Sequence, residues 1–283
     1  STRRYTLFPY TTLFRSKEQQ LKWIKEGRGQ GFLSKYKPFL TVKDNKSLNN
    51  RSSRVYGYKT GRTHHLFSDL ELAVFLILDR NIFIKDIREQ MPLNLKETED
   101  LARTFSLYHP MKNGIAQTLV STFFIVSEAT NAPPVYVIRA ISHTELENLN
   151  ILESLELERR YWQKENIPWY LVTEKDIPLT VVDNIKWLYP ANYSESKNHT
   201  PDKINFYYQQ FIRNSHLSLI ELSKYIDVQY SLEPGESLLE IRELIAQRYF
   251  VFDINISYRK ITCGNIKLSE QDSWEVICNA SNQ

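Results

Sequence analysis

Between Gln117 and Trp169 the apolar residues change from alternation to a helical repeat and back, and this change predicts the centre of the fold. Alternating and β-branched runs predict strands over Gln117–Val126 and Val135–Ile141. Asn131, Pro133 and Pro134 break the pattern between them, within the turn-rich stretch Ser127–Pro134. A charged helix over Thr144–Glu165 follows. Ile151, Leu152, Leu155 and Trp162 fall in one sector of it at ~100° per residue, so it packs on the sheet. A third strand runs from Trp169 to Thr173. Upstream, the pattern predicts a helix over Ser68–Asp79, a strand over Ile82–Ile87, a loop at Pro92–Leu95 and a helix over Glu97–Ser106.

Downstream, Pro178–Leu188 reads as a further helix, and the polar stretch Tyr189–Pro201 as a domain linker. Helices near Asp202–Arg213, Leu217–Ile226 and Ser237–Tyr249 precede strands near Val251–Ile256 and Asn265–Leu268, with a loose tail from Glu270 to Gln283. Helices followed by a hairpin predict a winged-helix-like module over 190–269. Without a basic recognition helix, a protein contact is favoured for it over a DNA contact.

Composition limits the classes. At 283 residues, with 42% apolar and 13% aromatic content, the chain can bury two cores. No apolar run approaches the ~20 residues of a membrane span, and no signal-peptide pattern opens the chain. Cys263 and Cys278 are the only cysteines, which excludes a disulfide framework or thiolate metal cluster and fits a reducing bacterial cytoplasm. Thr6–Ser16 can be back-translated into DNA resembling a common sequencing adapter, so residues 1–16 are set aside as foreign to the fold.

Charge is unevenly spread. Residues 17–62 carry twelve Lys or Arg against three acids, and residues 1–16 add three Arg, so a net +3 chain has an acidic remainder. A basic arm on an acidic body fits a polyanion partner, and Lys25, Arg28, Lys35, Lys37, Arg51, Arg54, Lys59 and Arg62 are the candidate DNA contacts. Within the arm a short helix is predicted near Gln20–Glu26. Gly27-Arg28-Gly29-Gln30-Gly31 lacks the strand and the Lys-Ser/Thr ending of a nucleotide cradle, and reads as a flexible loop near a DNA backbone.

Glu71 has two readings. Ser68 and Glu71 have capping-box spacing, which gives the carboxylate a structural role. On a helical wheel, however, it lies between Leu70, Val74, Leu78 and Phe75, where an unpaired charge is costly, and this favours a site role.

Several stretches resemble one family. Leu155-Glu156-Leu157-Glu158-Arg159-Arg160-Tyr161-Trp162 and Ile167-Pro168-Trp169 are similar to TnsA, the endonuclease subunit of heteromeric transposases. So are Lys25–Gly31, His64-His65-Leu66, Ser68–Phe75 and Asp86-Ile87-Arg88-Glu89-Gln90, in order from about Lys17 to about Leu268. The resemblance implies a restriction-endonuclease-like α/β core of the PD-(D/E)xK kind over 63–189, with a mixed sheet. It also implies a winged-helix-like C-terminal domain, DNA at transposon ends, and TnsB-like transposase and TnsC-like ATPase partners.

The family site would hold Mg²⁺ with a helix Glu and a strand Asp, followed on the next strand by Gln and Lys two residues apart, on one face. Glu71 matches the helix Glu, but Phe123, Arg139 and Ile141 stand at the other three positions. No Lys occurs between Lys112 and Lys164, so no shift of register restores one. Glu128 and Glu145 are the nearest acids considered as substitutes, and neither falls on the right strand face. The resemblance with these departures implies a catalytically degenerate subunit that serves in DNA binding and assembly. The enzyme alternative is a Mg²⁺-dependent endonuclease with an atypical site. Loss of the metal would leave Glu71 uncompensated, so a Glu71–Arg139 ion pair is expected in its place.

Overall fold

The computed structural model describes residues 16–44, 51–190 and 200–269. They fall into two compact units, Ser1–Ile177 and Pro178–Gln283. The sequence-predicted boundary at Tyr189–Pro201 therefore moves upstream. Helix α5 (Leu179–Leu188) belongs to the second unit because Leu188 is buried in that unit's core. Residues 1–15, 191–199 and 270–283, on which the adapter, linker and tail readings largely rest, lie outside the described residues.

The first unit is built on a four-stranded sheet in the order β3 (Ile84–Pro92), β6 (Val120–Ser127), β7 (Val135–Ala140) and β8 (Trp169–Val172). β3–β6 and β6–β7 are antiparallel, and β7–β8 is parallel. The parallel pair needs a crossover, and α4 (Leu149–Lys164) supplies it. The α-helix starts five residues later than the pattern predicts, because His143–Glu147 forms a 3-10 turn and Asn148 caps the helix proper. Helix α2 (Asp69–Arg80) follows the cap Ser68, and α3 (Leu95–Phe105) follows the cap Asn94. β3 runs on to Pro92, five residues past the predicted end of that strand.

The described part of the basic segment, residues 17–44 and 51–62, is folded. Helix α1 (Lys17–Lys25) is capped by Ser16, the last residue of the stretch set aside as foreign. Gln20 is buried, and its side chain bonds the Ala116 carbonyl and both the amide and hydroxyl of Thr118. Trp23 packs with Phe39, Leu40 and Phe67. Gly29 has φ +81°, and a Cβ there would lie 2.2 Å from the Pro92 ring, so the glycine run is a tight turn seated on the fold. Residues 53–66 form the hairpin β1 (Ser53–Gly57) and β2 (Arg62–Leu66), and a second short hairpin pairs β4 (Met111–Lys112) with β5 (Ile115–Ala116); neither is in the sequence prediction.

In the second unit, α6 (Pro201–Arg213), α7 (Leu219–Gln229) and α8 (Glu236–Ala246) surround a core that includes Tyr207, Phe211, Leu222, Ile241 and Phe250. Asp227 joins α7 to α8 by accepting from the amides of Gly235 and Ser237. The terminal hairpin is short, pairing β9 (Phe250–Val251) with β10 (Lys267–Leu268). Most of the predicted strand Val251–Ile256 is loop.

If α1 is part of the core, Trp23→Ala should cost about 3–5 kcal/mol in denaturant unfolding of the full chain. A change under ~1 kcal/mol would mean that the segment is a detachable arm.

Candidate functional site

Glu71 sits in the first turn of α2 and is fully buried. The Ser68 hydroxyl accepts from the Glu71 amide at 3.0 Å, as a cap should. The carboxylate reaches back to the Phe67 amide, which donates to Oε2 at 2.7 Å, and Gln90 Nε2 lies 3.4 Å from the same oxygen. Oε1 is buried with no hydrogen-bond partner among the described residues. Burial pushes the carboxyl up to about 7. The Phe67 amide, the positive charge of Arg139 and the Gln90 side chain pull it down, and nearby Glu89 pushes it further up.

Arg139 does not close on Glu71. On β7, Val137 packs against Trp162 of α4, and Arg139, two residues along, has the same pleat parity. On α4, Glu158 lies one turn before Trp162 and is buried. Arg139 Nη1 is 3.5 Å from Glu158 Oε2 and donates to the Val120 carbonyl at 2.5 Å. Glu158 Oε1 also accepts from Ser121 at 2.7 Å and from the Trp169 indole at 3.0 Å. The expected Glu71–Arg139 ion pair is therefore replaced by Glu158–Arg139, and Arg139 acts on Glu71 through its field alone.

The other two positions that the resemblance assigns to the site are apolar and closed. Phe123 is 0% exposed and Ile141 1%. Phe123 stands opposite Glu89 on β3 and Ile138 on β7. Thr122 next to it replaces a backbone rung, its hydroxyl accepting from the Ala140 amide at 3.1 Å.

Glu89 is the acid that the sequence reading missed; it stands opposite Phe123, and its charge acts on Glu71. Its carboxylate takes Arg62 Nη1 at 2.8 Å, Arg62 Nη2 at 2.5 Å and the His65 amide at 3.1 Å. His64 Nδ1 lies 2.7 Å from Oε2, at charge-pair distance but without hydrogen-bond alignment. Burial works to raise the Glu89 carboxyl, yet His64 and Arg62 outweigh it and hold the group well below the carboxylate range. The signal was present in Arg62-Thr63-His64 and Glu89, since a two-residue strand repeat puts Arg62 and His64 on one face. Of the two acids considered, Glu128 is exposed beside Lys85, and Glu145 accepts from the Ser142 amide in a cap.

The candidate DNA contacts divide. Lys25, Lys35, Lys37, Arg51 and Arg54 are exposed and Lys59 half-buried. Lys37 donates to the Glu26 carbonyl, and Arg51 lies 3.9 Å from Asp69. Arg28 and Arg62 are withdrawn from the set. Arg28 stacks on Trp23 and pairs with Asp44 at 2.7 Å, and Arg62 is buried on Glu89.

Comparison with known proteins places this arrangement in a class. Residues 83–174 match the family model "TnsA-like endonuclease N terminal", and residues 176–254 match "TnsA endonuclease C terminal". The chain belongs to the TnsA endonuclease family. It is 38% identical over 267 residues to "Transposon Tn7 transposition protein TnsA" of Escherichia coli, covering 94% of this chain and 97% of that protein. No helix among the described residues is long and apolar enough to cross a membrane.

TnsA-family endonucleases are generally metal-dependent, and Mg²⁺ is the ion that the resemblance implies. A hard divalent cation needs several oxygen ligands. Glu71 offers one oxygen not already engaged. Glu89 is taken up by Arg62 and His64, and Phe123 and Ile141 offer none. Among the described residues no group of three His, Cys, Asp or Glu could hold a metal. This donor set does not fit the ion.

The raised Glu71 carboxyl gives a signed pH effect. Because the folded value, about 7, lies above the ordinary 4.5, its contribution to stability is complete below pH ~4.5 and is lost as pH rises through ~7. Glu71→Gln should therefore be more stable than the native chain at pH ~8, by an amount on the order of 3 kcal/mol, and closer to it at pH ~5. Thermal unfolding of both proteins at the two pH values measures this, and an equal offset at both would contradict a neutral buried acid.

Proposed function

We propose that this chain is a TnsA-type transposase subunit that does not cut DNA by the family route and serves in DNA holding and assembly. The observation that supports the reading is that Phe123 and Ile141, which stand where the resemblance implies an acid and a lysine, are both closed into the core. Arg139 cannot substitute for the missing Lys as a base, because a guanidinium stays protonated at its pKa above ~12. Glu71 alone cannot lower the pKa of a water or neutralise a pentavalent phosphate. In this reading the sheet with α2 and α4 is a restriction-endonuclease-like core, and α6–α8 with the β9–β10 hairpin form a winged-helix-like module. Exposed Lys25, Lys35, Lys37, Arg51 and Arg54, with half-buried Lys59, hold DNA. Transposon-end DNA, a TnsB-like transposase and a TnsC-like ATPase are the partners that the family membership supports.

Incubation of the purified chain with end-containing DNA and Mg²⁺ or Mn²⁺, with and without these partners, should give no 5′-strand cut, and Glu71→Ala should behave as the native chain does. Metal-dependent nicking that Glu71→Ala abolishes would establish the active endonuclease instead.

In a reconstituted transposition, 3′-end joining without 5′ cleavage leaves donor and target linked. Sequenced products should therefore be cointegrates. Simple insertions that depend on Glu71 would refute the silent-subunit reading.

A further inference from the structure

The loop from Gln30 to Lys37 in the first unit displays two apolar side chains that the preceding reading does not use. Phe32 is 59% exposed and its neighbour Leu33 38%, at the head of the 3-10 turn Leu33–Lys35. Single exposed apolar residues are ordinary, but the backbone here is not. Leu33 has φ +49°, in the left-handed region, and among the described residues it is the only apolar side chain there. A residue with a Cβ is strained in that conformation and persists in it only when its surroundings hold it.

Those surroundings are specific. The Leu33 amide donates to Asp86 Oδ1 at 3.3 Å, and the Leu33 carbonyl accepts from Arg62 Nε at 3.1 Å. Asp86 is itself held by Arg88 at 2.7 Å, and Arg62 is the buried partner of Glu89. At the base of the loop the Lys37 amide donates to the Gln30 carbonyl at 3.1 Å, and the Tyr36 hydroxyl donates to the Glu89 carbonyl at 3.0 Å. The two apolar side chains therefore project from a loop fastened to β2 and β3, and its backbone has little freedom to lose on binding.

Cations border them. Lys35 follows in the same turn and Lys37 stands at its base, both exposed. The β1–β2 turn, which carries Lys59, runs alongside, since a Cβ on Gly61 would lie 3.8 Å from the Ser34 Cβ. The acids that touch these segments are engaged within the fold: Asp86 by the Leu33 amide and Arg88, and Glu26 by Arg28. A protein pocket would need the apolar side chains alone. Apolar side chains with ammonium groups beside them match a duplex, in which stacked bases lie between rows of phosphates.

We propose that Phe32 and Leu33 form a wedge that enters between two base pairs of bound duplex DNA and unstacks them, while Lys35 and its neighbours meet the flanking phosphates. The proposal rests on the reading that the subunit holds DNA, and it adds that the DNA is held kinked. Phe and Leu side chains inserted at a base step unstack it and bend the duplex. The cost of that deformation depends on the step, so a duplex already weakened at one step is preferred.

The test is fluorescence anisotropy of the full chain on two short duplexes, identical except for a single central mismatched pair in one, each with 2-aminopurine next to the centre. The native chain should bind the mismatched duplex more tightly, on the order of tenfold, and raise its 2-aminopurine emission. Phe32→Ser/Leu33→Gly should bind both duplexes alike, leave the emission unchanged and keep the native salt dependence, because no cation is removed. Its melting temperature should equal or exceed the native value, since glycine relieves the strain at position 33. Lys35→Ala should keep the mismatch preference, weaken binding to both duplexes and reduce the slope of log K against log salt by about 0.9. Equal native binding to the two duplexes, or a preference that survives in the double variant, overturns the wedge, and salt-dependent binding then still supports the wider DNA reading. Failure of the native chain to bind either duplex removes both. Native DNA behaviour in the double variant, with loss of a dimer that the native chain forms in sedimentation, overturns the wedge in favour of contact with a second copy of this chain.

Discussion

Arg62 closes on Glu89 with both terminal nitrogens while His64 lies against the same carboxylate, all three inside the first unit. This contact ties β2 to β3, and with it the hairpin from the basic segment to the main sheet. A carboxylate removed from water must find a cation or keep its proton, because burying an unpaired ion costs several kcal/mol. Three buried glutamates meet that constraint differently. Glu89 takes Arg62 and His64, Glu158 takes Arg139, and Glu71 has an amide, a distant Gln90 and a carboxyl raised to about 7. Arg139 is committed to Glu158 and Arg62 to Glu89, so among the described residues Glu71 forms no salt bridge and is met only by the Phe67 amide and Gln90.

Much of the sheet was legible because its strands alternate and its crossover helix has one apolar sector. The limits of that reading are also physical. Glu158 lies about 60° from Leu155 on the same wheel as Trp162, so a buried acid was visible on α4, but a sequence does not show which strand cation faces it. Arg139 was placed on the correct strand and paired with the wrong acid, since pairing depends on pleat parity across two elements. The segment from Lys17 to Arg62 read as a polar, basic arm with one short helix because its apolar residues are sparse. Its order comes from long-range bonds such as Gln20 to Thr118, which leave no local period. The glycine run 27–31 read as a flexible loop near a DNA backbone, whereas Gly29 and Gly31 are held by close approach to Pro92 and to the Lys35 carbonyl.

In the second unit the same limit appears at the hairpin. Alternation over Val251–Ile256 predicted a longer strand, but Asn184 engages the Ile254 and Ile256 carbonyls and the Tyr258 amide. Backbone groups that would have formed a ladder are satisfied by one buried side chain, so the chain follows α5 instead of pairing with β10. A single Asn within an apolar helix thus decides how far the hairpin extends.

Retention of Glu71 then needs no catalytic explanation. The Phe67 amide is buried just ahead of α2, and the Glu71 carboxyl satisfies it at 2.7 Å. Loss of that acceptor would strand a donor at a cost of about 1–3 kcal/mol, whether or not a metal was ever bound. Phe123 and Ile141 have no comparable duty toward the backbone, and apolar side chains at their positions add buried area. A site released from its chemistry would therefore change first at the strand acid and the lysine, and last at the helix glutamate. At the positions that the resemblance assigns to the site, this chain carries a buried glutamate on the helix, apolar Phe123 and Ile141 on the strands, and Arg139 paired with Glu158.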